Sequence, residues 1–430
     1  MKTLSYIIAA LALGVCAQAG AQSTDTVFSL SRCKELALEN NAAVKTSQRD
    51  LEAAAETRKE AFTKYFPEIS AGGSWFKTNT DILKYDVLDL FTLGIIDRGK
   101  GAGVWAMQPV FMGGRIVNGN KLAKVGEEAA RIRRQQTNDE VILATEALYW
   151  QLTTLKATRS TVSSAIAMLD SLSNQVQVAV DAGVAMPNDA LKVDIQRNKY
   201  RSDMVDLDNG IKLMKMLLAQ QIGMGTDNLV DINEEVPAEM PAYPNSMFID
   251  SSTALPDTYD YQLLQKNVEA KALEKKMEVG NYLPSVAVGA GWFYHDMFEQ
   301  NQNFGGVMVT VSVPISDWWG GSHAIKRKSL ALENARTELS DLSQKLEIEM
   351  TDKWDNVTAA HRKMSIAAEA IRQGAENLRL NQAYYEAGMS TITDLLDAQT
   401  LYRQAQSDYI SAYGVFRMSQ SQYLDATGRL

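Results

Sequence analysis

Two long stretches of the chain carry apolar side chains at alternating steps of four and three. One runs through Leu148, Leu152, Leu155, Val162, Ile166, Leu169, Val176 and Val180, skipping only Arg159 and Ser173. That period predicts a coiled-coil seam on one very long helix, about 115–182. The other runs Leu332, Ala335, Leu339, Leu342, Leu346, then takes a four-residue step to Met350, Trp354 and Val357. The extra step is a stutter, which locally changes supercoiling, on a second long helix, about 323–387. At 1.5 Å per residue such helices reach about 90–100 Å. Elsewhere the period falls to two. In "FGGVMVTVSVPI", Val307, Val309, Val311, Val313 and Ile315 share one face, and Met308, Thr310 and Ser312 the other. In "SVAVGAGWFYH", Val286, Val288, Ala290, Trp292 and Tyr294 align. Strands are predicted at about 67–77, 101–111, 284–295 and 304–315.

The nine prolines fall between these elements. Pro67, Pro109, Pro284 and Pro314 border the strands, and Pro187 sits in a turn. Pro237, Pro241, Pro244 and Pro256 cluster in a linker, 223–257, between two halves. The intervening segments are nearly free of proline, as long helices require. Helices of moderate length are predicted at 31–64, 188–222, 258–281 and 391–427.

The halves repeat. Tyr65/Tyr282, Pro67/Pro284, Gly72/Gly289, Trp75/Trp292 and Phe76/Phe293 stand 217 residues apart. Ala182/Ala387, Gly183/Gly388, Asp189/Asp394, Leu191/Leu396 and Gly223/Gly428 stand 205 apart. The first repeat spans 22–222 and the second 258–430. Most of the difference in offset lies in the strand connections, with "TNTDILKYDVLDLFTLGIIDRGKG" expected as a long loop against a short "DMFEQNQN". The fold class is mainly α with a small β part, built as two tandem helix–hairpin–long helix–helix repeats.

On alternation alone the strands fit a half-buried soluble sheet and a membrane barrel equally. Two hairpins give four strands, too few to close, and open sheet edges cannot sit in lipid. Three chains would supply twelve. Aromatics near the strand ends (Tyr65, Trp75, Tyr282, Trp292, Phe293, Trp318, Trp319) suit an interfacial girdle.

Composition narrows the setting. "MKTLSYIIAALALGVCAQAGAQ" has a basic start, a short apolar run and a small-x-small site, and reads as a secretory signal, residues 1–21. Lipidation at Cys16 is the competing reading. Without Lys2 the chain carries 42 basic and 52 acidic side chains, a balance opposite to that of nucleic-acid binders. Only Cys33 then remains, so no intramolecular disulfide is expected. The three histidines lack metal-ligand spacing, and neither metal nor cofactor is expected. No Gly-rich phosphate loop occurs, and no enzyme activity is expected.

The signal segment, the aromatic-Leu/Phe-Pro lead into each hairpin, and the "AG…D" turns resemble the TolC family of outer-membrane efflux proteins. "EAGMSTITDLLDAQTLYRQAQSDY" is the most specific part, and the likeness covers about Thr26 to Gly428. The resemblance implies a homotrimer in the outer membrane of a Gram-negative bacterium: a twelve-stranded barrel continued by a twelve-helix coiled-coil barrel through the periplasm. Moderate helices would stack end to end to match one long helix. It also implies a passive duct for drugs or other toxic small molecules, working with a periplasmic adaptor (membrane fusion) protein and an inner-membrane pump. The outer component of a type I protein secretion system uses the same architecture. A soluble periplasmic coiled-coil scaffold is the remote alternative.

Site residues follow the resemblance. Asp394 and Asp397, three apart on one helix face, match the acidic pore constriction; by local chemistry Thr391 and Asp394 also read as an N-terminal cap. A ring of six carboxylates would attract cations, and some would titrate above ordinary values. Asp189 and Tyr385 match residues that close the tip, but the family's arginine partners are absent: Ser390 and Tyr413 stand there. Gly183, Val184, Gly388 and Met389 match the surface met by the adaptor.

Overall fold

The computed structural model describes residues 27–80, 84–87, 91–94, 98–225, 230–296 and 301–430. The expected signal segment and Cys16 lie outside them. In chain order the elements are β1 (Val27–Phe28), α1 (Leu30–Asn40), α2 (Ala42–Thr63), β2 (Glu68–Lys77), β3 (Lys84–Val87), β4 (Phe91–Gly94) and β5 (Arg98–Met112). Then follow α3 (Arg115–Asp181), α4 (Pro187–Gln221), β6 (Asp231–Ile232), α5 (Ser251–Ala254) and α6 (Tyr259–Asn281). The chain ends with β7 (Ser285–Asp296), β8 (Asn301–Ser312), α7 (Trp318–Glu386) and α8 (Ile392–Ala426).

The long helices hold 67 and 69 residues, so each is about 100 Å long. Their seams are buried as the stripes require. Leu152, Val162, Leu169 and Val176 are at most 1 % exposed, and Met350 and Val357 at most 2 %. α7 begins at Trp318, five residues before the expected start, because Gly320, Gly321 and the residues beside them continue the helix without a break.

The expected helix 31–64 is two helices. Asn41 departs from helical geometry at φ −60°, ψ 139°, and its side chain serves two helix ends. Its Oδ1 accepts from the Ala43 N–H at 2.8 Å, capping α2, and its Nδ2 donates to the Gln221 carbonyl at 2.9 Å, capping α4. The break is thus the joint at which α2 stacks on α4. Gly223, at φ +73°, ends α4 so tightly that a Cβ there would lie 2.3 Å from Asn40 Cβ. The second repeat makes the same joint. Thr258 is the N-cap residue of α6, and Gly428, at φ +66°, ends α8 with space for a Cβ only 2.7 Å from the Asp257 carbonyl. Both joints lie at one level of α3: Gln221 Nε2 donates to Val141 O at 3.3 Å, and Tyr259 OH donates to Asp139 at 2.9 Å. The end-to-end stacking that the resemblance implied is therefore present.

The linker wraps this level. β6 pairs in parallel with β1, and Asp231 accepts from Lys156 and Lys215 at 2.8 and 2.9 Å. Tyr409 OH donates to Pro237 O at 3.0 Å, and the Ile249 N–H donates to Tyr423 OH at 3.0 Å. The carbonyls of a proline-rich segment find partners on the helices beneath, which keeps them satisfied.

At the other end of the helices the four main strands form an antiparallel sheet in the order β2-β5-β7-β8. The register places Ala71, Val104, Trp292 and Gly305 side by side on one face, with Ile69, Ala106, Ala290 and Val307 in the next row. The other face carries Ser70, Trp105, Gly291 and Gly306, then Gly72, Gly103, Phe293 and Phe304. Val307, Val309 and Val311 are 62–78 % exposed in the single chain. β2 and β8 are free edges. Within the segment expected as a long loop, β3 and β4 form a short antiparallel hairpin of their own. Its Tyr and Val on one strand and Phe and Leu on the other are the β-forming residues of that stretch.

Candidate functional site: the helical tip

α3 and α7 end alike, far from the sheet. Gly183 has φ +75° and Gly388 φ +71°. The Val184 N–H reaches back to Ala179 O at 2.9 Å, and Met389 N–H to Tyr384 O at 2.8 Å. These are glycine-terminated helix ends, in which a left-handed residue lets the next N–H satisfy an otherwise orphaned carbonyl. The turns that follow push Val184 and Met389 into solvent, 80 % and 76 % exposed. All four residues expected at an adaptor surface therefore lie on two matching turns.

The return helices start differently. At α8, Thr391 and Asp394 form a reciprocal capping box: the Asp394 N–H donates to Thr391 Oγ1 at 3.2 Å, and the Thr391 N–H donates to Asp394 Oδ2 at 3.0 Å. Thr391 Oγ1–H and Ser390 Oγ–H also donate to that carboxylate, at 2.6 and 3.3 Å. These donors, Thr391's hydroxyl first, hold the Asp394 carboxyl below its ordinary range. The cap expected from sequence is present. Within one chain it opposes the rise that neighbouring carboxylates in a ring would cause. Asp397 is exposed one turn on. Its neighbours Leu395, Leu396 and Ala398 are buried, so the acidic face points away from the packed side.

α4 lacks a side-chain cap. Met186 is its N-cap residue, Pro187 opens the helix, and Asp189 falls in the first turn. Tyr385, on the last turn of α7, is half-buried; burial first, and then the charge of Asp189, raise its hydroxyl above the ordinary range. The two residues expected to close the tip are thus near enough for the charge of one to act on the other.

The sequence reading missed what crosses from α4 to α8. Lys192 Nζ donates to Asp189 Oδ1 at 3.3 Å and to Thr393 Oγ1 at 3.2 Å. One turn further, Gln196 Nε2 donates to Thr400 Oγ1 at 3.2 Å. Another turn on, the Arg403 guanidinium sits 4.9 Å over the Tyr200 ring, a cation–π contact. Lys192, Gln196 and Tyr200 share one face of α4 at spacings of four. The signal was available: at the offset of 205, Lys192 in the first repeat stands where Asp397 stands in the second.

Away from the tip, the described residues include no group of His, Cys, Asp and Glu that could hold a metal, and no helix long and apolar enough to cross a membrane. A cavity of about 740 Å³ opens under the linker, lined in part by Lys156, Ser160, Glu234 and Tyr409. It is a crevice left where the belt bridges the helices.

Two tandem units, each a hairpin on long helices with glycine-ended turns, match the outer membrane efflux protein family over residues 34–223 and 265–428. The chain belongs to that family. It also shares its fold with solved structures. It is similar to the outer membrane protein VceC from Vibrio cholerae (TM-score 0.80, 15 % identity), with 93 % of this chain and 96 % of that one covered. The Campylobacter jejuni CmeC outer membrane channel gives 0.80 at 13 % identity, covering 93 % and 85 %. The open state of the Neisseria gonorrhoeae MtrE outer membrane channel gives 0.73 at 16 %, covering 93 % and 88 %. No curated protein matches the sequence. The chain is thus an outer-membrane protein, with its sheet and its glycine-ended turns at opposite ends of the 100 Å helices.

Proposed function

We propose that the protein is a passive trans-periplasmic duct that closes as a homotrimer. It would carry small toxic molecules outward, driven by an inner-membrane pump through a periplasmic adaptor. The observation that carries this reading is the sheet: four strands, two unpaired edges, and an apolar face exposed along its length. In hydrocarbon every edge N–H and C=O must find a partner. Two copies would give eight strands, a ring whose interior side chains fill. Three give twelve, the smallest closed ring of these units that leaves a lumen. The face with Val286, Val288, Trp292 and Val307 then meets lipid, and the Gly- and Ser-rich face lines the passage.

Below the sheet each chain offers four rods in cross-section: α3, α7 and the two jointed rods. Three copies make a twelve-rod wall about 100 Å long, enough to cross a periplasm. The exposed turns at Val184 and Met389 are the apolar points that an adaptor's helices would cover. Neither ATP hydrolysis nor any covalent chemistry is assigned to this chain; the driving energy is the pump's.

The reading is tested by expressing the full chain and fractionating the envelope. It expects the mature protein in the outer membrane, extracted only by detergent, running as a heat-sensitive trimer and forming channels in planar bilayers. A carbonate-extractable monomer without channel activity would refute it.

A further inference from the structure

We propose that Lys192 sets both the resting width and the charge of the duct's inner aperture. The proposal rests on the duct reading above and adds a residue to it. α4 and α8 occupy equivalent places in the two repeats, and their first turns carry equivalent acids, Asp189 and Asp394. One turn on, the equivalence fails: the first repeat has Lys192 where the second has Asp397. An exact repeat would place four carboxylates per chain at the tip. The real chain places three and one ammonium, net −2 rather than −4, or −6 rather than −12 in a trimer.

The ammonium is also held in place. Its two acceptors lie on different helices, Asp189 on α4 and Thr393 on α8, at 3.3 and 3.2 Å. Thr393 sits between Ile392 and Asp394, so this contact pins the turn that presents the acidic face. Beneath it Val193, Ile392 and Leu395 are at most 3 % exposed, so the α4–α8 seam is dry under a polar edge. Gln196–Thr400 and Tyr200–Arg403 continue that edge away from the aperture. Lys192 is therefore the charged end of a three-rung clasp between the repeats. It bonds Asp189, one of the two residues expected to close the tip.

Magnitude makes the clasp testable. A partly exposed ion pair is worth roughly 1.4- to 5-fold in an equilibrium. Three copies acting on one opening step give roughly 3- to 100-fold. Four variants of the full chain, each shown to run as a heat-sensitive trimer, are recorded in planar bilayers in potassium chloride. Lys192→Arg keeps charge and reach and is expected within two-fold of wild type. Lys192→Met raises resting conductance about three-fold or more and raises the potassium-to-chloride permeability ratio. Lys192→Glu raises that ratio further. Thr393→Val removes one acceptor without changing charge, and raises conductance while leaving the ratio alone.

Asp394→Asn with Asp397→Asn serves as the reference for the aperture itself. If that pair alters selectivity while Lys192→Met matches wild type in conductance and ratio, the Lys192 proposal is overturned and the duct stands. If neither alters anything, the aperture assignment and the Lys192 proposal fall together.

Discussion

Asp425 lies in the last turn of α8, at the level where α8 meets α6. Burial first, and then the charges of Asp139, Glu140, Asp260 and Glu349, push its carboxyl up to about 6 from an ordinary 3.8. Those acids come from every helix packed against it: α3, α6 and α7. The C-terminal end of α8 adds its own negative dipole. Replacing Asp425 with Asn keeps the shape and removes the titration. A shift of this size corresponds to at most about 3 kcal/mol per chain, at about 1.4 kcal/mol per pH unit; the side chain is only half-buried, so about 1–3 kcal/mol is expected. The sign follows from the raised folded value. Below about pH 4 the carboxyl is neutral in folded and unfolded chains, and the stability it contributes is fully present. As pH rises through 6 that contribution is lost. Thermal unfolding of the detergent-solubilised protein, followed by circular dichroism from pH 4 to 8, reads it directly. Wild type and Asp425→Asn should coincide near pH 4, diverge between about pH 4 and 6 and stay apart above that, with the variant a few degrees more stable at pH 7.5. Parallel curves, or a less stable variant at neutral pH, would refute the reasoning.

Replacing Asp394 and Asp397 together with Asn, which keeps the cap, should lower cation preference in bilayer recordings; unchanged selectivity removes their role at a constriction. Asn41→Ala deletes a cap from each of two helix ends and should cost about 1–3 kcal/mol. Hydrogen exchange should rise at residues 41–45 and 219–224, whereas an effect confined to one side would contradict the shared joint. Gly388→Ala meets no neighbour within 4 Å, so its cost is the positive φ alone, about 1–2 kcal/mol. A larger loss of stability in the same melt would show contacts the single chain lacks, and equal loss of adaptor binding by Gly388→Ala and Met389→Ser would assign them.

The sequence made the long elements plain because their periods are long. Eight seam positions on each long helix, and ten-residue alternation on the strands, leave little room for another reading. The repeat offset located both glycine-ended turns, and local chemistry located the Thr391 cap. Three things escaped. The Asn41 break was hidden because "NNAAV" is flanked by good helix formers on both sides; only the cap rule at Asn would have shown it. The short β3–β4 hairpin lay in a segment with turn residues too widely spread to mark strands. The α4–α8 clasp joins residues about 200 positions apart, and nothing local announces such a pair. The offset did point at it, because a lysine stands where the second copy has an aspartate.

Each chain builds its wall from two unbroken helices and two interrupted ones, with both interruptions at the height of Asp139 and Val141. A continuous helix carries bending strain along its whole length, because every turn is bonded to the next. An interrupted rod carries none across its gap, where no ladder bond runs from one segment to the other. The half below the linker can therefore tilt by hinging the jointed rods and flexing the intact ones, without dragging on the strands above. On the duct reading, rearrangement at the inner mouth would leave the seal in the membrane undisturbed.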